Sequence, residues 1–188
     1  MELVFLMILP ATLWAQSWYF LDLYNNTKTL GIMAATAAAV LGGLVIFSGG
    51  GFTSLVAGPP EVADVGAVMS TFIALWAIYL AMMAGVYLGG FDERALGFYS
   101  IFLAVVSIVY AVYFIAGGEL LGGSQVGYLV HWPMAIVSTL LAVFALLVFF
   151  YLATPYPRLR YFIGWFTLIL SILSVLMGAL IILGVPID

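Results

Sequence analysis

A helix that crosses the hydrocarbon core of a bilayer needs about 20 mostly apolar residues, and six segments of this chain reach that length, roughly 3–23, 30–49, 65–88, 97–117, 127–152 and 161–184. Backbone groups find no water in lipid, so spanning segments must be helices or strands of a closed barrel. Barrel strands are about half as long and alternate apolar with polar residues. These six segments are apolar throughout. The expected fold is therefore an all-α membrane protein of six transmembrane helices arranged as three helical hairpins. With 66% apolar and 6% charged residues in 188, and no hydrophilic stretch longer than a loop, residues 1–188 form a single integral membrane domain.

The gaps between the segments are of two kinds. All four basic residues, Lys28, Arg94, Arg158 and Arg160, fall in gaps one, three and five, at Leu21–Thr29, Gly89–Leu96 and Thr154–Arg160. Gaps two and four, at Gly49–Val62 and Gly117–Gly127, are glycine-rich and carry only acidic residues, Glu61 and Glu119, and the termini carry Glu2 and Asp188. Lys and Arg are retained on the cytoplasmic side during insertion. The pattern predicts a multi-pass protein of the cell membrane, its three basic turns cytoplasmic and both termini extracytoplasmic. Leu13-Trp14-Ala15 resembles the end of a signal peptide, but Glu2 and the lack of basic residues before it favour a retained span.

Composition excludes several function classes. Cysteine is absent, which removes thiolate metal sites, thiol nucleophiles and disulfides. There is one histidine, His131, beside Trp132 and Pro133 at a span end. It reads as an outer-interface residue, with pH sensing as the sharper alternative. No carboxylate pair and no Ser-His-Asp set is present, so no catalytic residue, metal or cofactor is expected and the chain is not read as an enzyme. Four basic residues are too few for nucleic acid. Asp22, Glu119 and His131 lie within about a turn of a span end, so no ionisable group sits near the bilayer centre, which argues against proton or sodium coupling.

What remains inside the spans is neutral polarity. Trp14, Gln16, Trp76, Tyr79, Tyr99, Ser100 and Tyr110 are the candidate solute-lining residues, with Ser107 and Ser138 among further hydroxyls. Gln16 is the most informative, because an amide in lipid has two donors and an acceptor to satisfy. It either bonds a neighbouring helix or faces a wet path. Trp18, Tyr19 and Tyr99 read equally well as interfacial anchors. A path lined by amides, hydroxyls and aromatic edges suits small uncharged polar solutes and offers an ion no counter-charge. Composition alone leaves two readings, a neutral-solute channel or a structural subunit of a larger membrane complex.

Gly90-Phe91-Asp92-Glu93-Arg94, followed by Gly97-Phe98-Tyr99-Ser100-Ile101-Phe102-Leu103-Ala104-Val105, resembles the AmiS/UreI family of urea and short-chain amide channels. Those proteins have a G-[LF]-D-x-R turn, then an aromatic–[YF]-S-[LI]-F-[VL]-A run. The segment Leu159-Arg160-Tyr161-Phe162-Ile163-Gly164-Trp165 is similar to the family's entry into span six, and Gln16 falls where the family tends to have Asn. The resemblance implies a passive channel for urea, acetamide or a similar amide. It further implies small neutral solutes and lipid as partners, and a homo-oligomeric ring, a hexamer, with one pore per subunit. Gly90, Asp92 and Arg94 form the motif turn, with Asp92 and Arg94 expected to pair across it. The departures are specific. Leu170 stands where the family has an acidic or amide residue. Span five lacks the family's tryptophans between Ala135 and Phe150, and span four lacks its proline near Val109. The histidine-rich outer loops associated with acid gating are missing, so no acid gating is expected.

Overall fold

A computed structural model describes residues 2–23, 26–47, 65–120, 128–154, 156 and 158–183. Six helices account for nearly all of them: α1 (Glu2–Phe20), α2 (Thr27–Phe47), α3 (Val65–Gly89), α4 (Glu93–Leu120), α5 (Tyr128–Leu152) and α6 (Leu159–Ile182). All six are long and apolar enough to cross a membrane. The chain is an all-helical, multi-pass membrane protein.

Three helices, α2, α4 and α6, start earlier than the apolar stretches do, and the first two open on a side-chain cap. The Asn26 side-chain oxygen accepts the Thr29 N–H at 3.2 Å to open α2. Asp92 Oδ1 accepts the Arg94 N–H at 2.9 Å to open α4. This corrects the expected Asp92–Arg94 ion pair: Asp92 is spent on backbone, and among the described residues Arg160 and Asp22 form the ion pair instead. Gly90 adopts φ +66, the left-handed conformation that glycine takes without strain, and so reverses the chain between α3 and α4. Lys28, Arg94 and Arg160 lie in the first turns of α2, α4 and α6, against the helix dipole at a cost of about 0.3–1 kcal/mol each. Helix stability does not account for that placement, which sets every described basic side chain at one end of the bundle.

The helices form a closed ring. Each packs chiefly on two neighbours, in chain order, and α6 returns to α1. The basic turns close three hairpins, α1–α2, α3–α4 and α5–α6, yet the most extensive contacts run between the alternate pairs, α4 with α5, α2 with α3, and α1 with α6. Small residues explain this, since close backbone approach replaces the hydrophobic driving force that lipid removes. Gly164, Ser171 and Gly178 recur every seven residues along the buried stripe of α6. A Cβ on Gly164 would lie 2.8 Å from the Leu21 side chain, and one on Gly178 2.9 Å from Met7. At the α4–α5 contact, a Cβ on Gly97 would meet the Ala153 backbone nitrogen at 3.0 Å. Pro10 inside α1 and Pro133 inside α5 leave both helices continuous. Outward faces carry exposed apolar side chains such as Phe47, Ile78, Val109 and Leu176, as lipid requires.

Candidate functional site

In a ring where helices pack mainly on adjacent helices, a side chain that touches a non-adjacent helix must lie in the lumen. Three levels of aromatic residues do so, all from α1, α3 and α5. At one level Phe5 of α1 meets Phe72 of α3, ring centroids 5.7 Å apart. In the middle, Trp76 and Tyr79 of α3 pack on each other at 5.4 Å and on Phe144 of α5 at 6.4 and 6.2 Å. Near the basic turns, Tyr19 of α1 meets Tyr87 of α3 at 5.3 Å, and Phe20 meets Tyr151 of α5 at 5.6 Å.

The polar groups divide sharply into spent and unspent. Thr12, Ser17, Ser100, Thr139, Thr167 and Ser171 each donate to a carbonyl of their own helix, the usual way a hydroxyl is satisfied in a membrane helix. Gln16 Oε1, Trp76 Nε1, the Tyr79 hydroxyl, Ser107 Oγ and Ser138 Oγ have no protein partner. Gln16 is 1% exposed and the other four are fully buried. The Gln16 side chain and the Tyr79 hydroxyl are near enough to interact, but neither Gln16 Oε1 nor that hydroxyl completes a well-formed hydrogen bond. Trp76, Ser107 and Ser138 stand thirteen or fourteen residues from the basic ends of their helices, about 20 Å at the helical rise. They share one level well inside the hydrocarbon core.

A buried polar group left unpaired costs about 1–3 kcal/mol. Five would cost on the order of 5–15 kcal/mol, as much as the net stability of a typical domain. Such a cluster needs a partner that the protein does not itself provide. Its chemistry is mixed and uncharged: an amide oxygen that accepts, an indole N–H that donates, and three hydroxyls that do either. Every charged side chain that the structure describes lies at the basic end, at Asp22, Lys28, Asp92, Glu93, Arg94, Arg158 and Arg160. No charged residue is fully buried among the described residues; Arg160 Nε, at the basic end, is the one charged-group atom that is buried without a partner among them.

Of the seven residues expected to line a path, the structure brings Gln16, Trp76 and Tyr79 together. Trp14 does not join them. It is 42% exposed, tilted against Trp18 at 6.2 Å on the outer face of α1, where it borders an apolar groove with Pro10, Ile172 and Val175. Its placement in a solute path is corrected to a lipid-facing one. The Tyr99 hydroxyl donates to the Leu75 carbonyl at 2.9 Å and ties α4 to α3. Ser100 is buried but spent on Leu96. Tyr110 is half-buried beside Phe72 at 4.7 Å, with its hydroxyl near Thr71. Leu170, where the family has a polar residue, is buried in the core. Phe144, like Phe5, Phe72, Tyr87 and Tyr151, is a lumen residue that composition did not single out, because one more aromatic in an apolar span carries no signal. The side chains of Glu119 and His131, and Glu61, lie outside the described residues.

No protein-family model matches the chain, and no curated protein matches it. Among solved structures, the chain is similar to the crystal structure of the urea channel from the human gastric pathogen Helicobacter pylori, with a TM-score of 0.76 at 18% identity. The match covers 98% of each chain, so it includes all six helices and their order. This chain has the fold of that channel.

Proposed function

We propose that this protein is a passive transmembrane channel for small uncharged amides, urea, acetamide or a similar solute, without acid gating. The observation that carries the reading is the lumen group of Gln16, Trp76 and Tyr79, whose hydrogen-bonding capacity is unmet by protein. Urea presents one carbonyl acceptor and four N–H donors. The indole N–H suits the carbonyl, and Gln16 Oε1 and the Tyr79 hydroxyl suit the N–H groups. A solute matched in this way exchanges its water hydrogen bonds for protein ones at little net cost. An ion gains no counter-charge in the same place and meets a low-dielectric barrier. The shared fold and the turn motif at Gly90, Asp92 and Arg94 support the reading. The basic turns face the cytoplasm of the cell membrane and both termini face out. Assembly into a homo-oligomeric ring, a hexamer, rests on the family resemblance.

A specific observation favours the alternative, a non-conducting structural subunit: Trp76, Tyr79 and Phe144 are 0% exposed, so the axis is closed at their level. In the channel reading these side chains step aside as each solute passes. Stopped-flow swelling of proteoliposomes under urea and acetamide gradients separates the two. Permeability for at least one solute well above that of protein-free liposomes is expected, with no accompanying ion conductance. Rates equal to empty liposomes for both solutes exclude conduction and leave the structural subunit.

A further inference from the structure

The lumen level nearest the basic turns is built differently from the middle one. Tyr19, Tyr87 and Tyr151 come one each from α1, α3 and α5. The Tyr19 and Tyr87 rings touch across the lumen edge to face at 5.3 Å, and Tyr151 closes on the adjacent Phe20 at 5.6 Å. One polar side chain of α6 reaches this collar. Arg160 Nη2 donates to the Tyr19 carbonyl and to Asp22 Oδ1, both at 3.0 Å, and its guanidinium lies 5.6 Å from the centre of the Tyr19 ring.

Asp22 occupies an unusual backbone position. α1 ends with the Leu23 N–H bonded to the Trp18 carbonyl and the Asp22 N–H to the Tyr19 carbonyl, which leaves Asp22 at φ 63. Glycine is the usual occupant of that left-handed site. An aspartate there is strained, and what it contributes in return is the carboxylate that holds Arg160. The Tyr19 carbonyl, one acceptor in this helix end, also receives Arg160. Arg160 therefore ties the end of α1 and the ring of Tyr19 to the start of α6.

We propose that Tyr19, Tyr87 and Tyr151 form a second constriction of the path, which screens solutes by size at the basic-turn mouth, and that the Arg160–Asp22 pair is the latch that keeps Tyr19 against Tyr87. The proposal rests on the channel reading for its purpose, but its geometry is testable without transport. The chain contains no cysteine, so single thiols report without background. Tyr79→Cys places a thiol just inside the collar, and Phe5→Cys places one beyond the middle aromatic level. Each is treated in nanodiscs with a charged, membrane-impermeant methanethiosulfonate, with and without Arg160→Gln. Release of the latch is expected to speed modification at position 79 by about tenfold or more and to leave position 5 unchanged. Asp22→Gly, which suits the left-handed backbone while it removes the carboxylate, is expected to give the same pattern and covers the case in which Arg160→Gln does not fold. Equal rates at position 79 with and without the latch overturn the proposal. A parallel rise at position 5 also overturns it, because Arg160 then holds the whole bundle rather than the collar. If the wild-type protein conducts neither urea nor acetamide, the channel reading fails, while the labelling result on the latch stands or falls separately.

Discussion

Replacement of Gln16 by leucine is expected to lower urea or acetamide permeability by about tenfold or more, with the protein still folded and assembled as in the wild type. Leucine fills nearly the same volume as glutamine and removes both amide functions. Gln16 Oε1 has no protein partner, so its loss breaks no completed hydrogen bond, and removal of an unpaired buried acceptor is neutral or favourable to folding. The solute loses its acceptor. A hydrogen bond missing at the barrier, about 1.4 kcal/mol or more, corresponds to about tenfold in rate. Swelling rates at matched protein content, with the size-exclusion profile, check both halves. Unchanged flux, or a variant that no longer assembles, makes Gln16 a packing residue and removes it from the path.

Phe144→Ala acts on the same level from the apolar side. Phe144 contributes no hydrogen bond; it completes the aromatic contact that closes the axis between α3 and α5. Its truncation leaves Gln16, Trp76 and Tyr79 in place and opens space beside them. Permeability is expected to rise, and to rise more for a bulky amide such as butyramide than for urea. The stability cost is in the range of about 3–5 kcal/mol for a large buried aromatic, so helicity and the elution profile must accompany the flux. A folded variant with the wild-type butyramide-to-urea ratio would place the size-selecting constriction elsewhere.

The sequence made the helices legible and their packing partners much less so. Apolar length identifies a span directly, because lipid tolerates nothing else, and all six spans emerge as helices. The polar first turns of α2, α4 and α6 escape such a reading. They are set by the caps at Asn26 and Asp92 and by the charge requirements of the membrane surface, not by apolarity. The close pairing of α1 with α6 depends on Gly164 meeting the side chain of Leu21 and Gly178 those of Leu6 and Met7, with Ser171 between them on the same buried stripe. The seven-residue spacing is visible in the chain, but its partner is not.

The site was partly legible for a similar reason. An amide and an indole in an otherwise apolar span draw attention, and Gln16, Trp76 and Tyr79 converge as that logic suggests. Trp14 misled because a helix in lipid is apolar on both faces, so hydrophobicity does not reveal which side points inward. Its angle does: Trp14 and Gln16 are two residues apart, about 200° around the helix, and cannot both face the lumen. Phe144, Tyr87 and Tyr151 become functional candidates only when the ring shows them reaching a non-adjacent helix. The Arg160–Asp22 latch joins residues at opposite ends of the chain, which no local pattern connects.

Conduction by this protein depends on groups in the lumen that await a neutral hydrogen-bonding partner. An experimental structure of the protein in lipid, solved with and without saturating urea, tests this most directly. Ordered density, water without urea and a urea-shaped feature with it, is predicted within hydrogen-bond distance of Gln16 Oε1, the Tyr79 hydroxyl and Trp76 Nε1. A lumen that stays dry under both conditions, with those three groups paired to other parts of the protein, would contradict it.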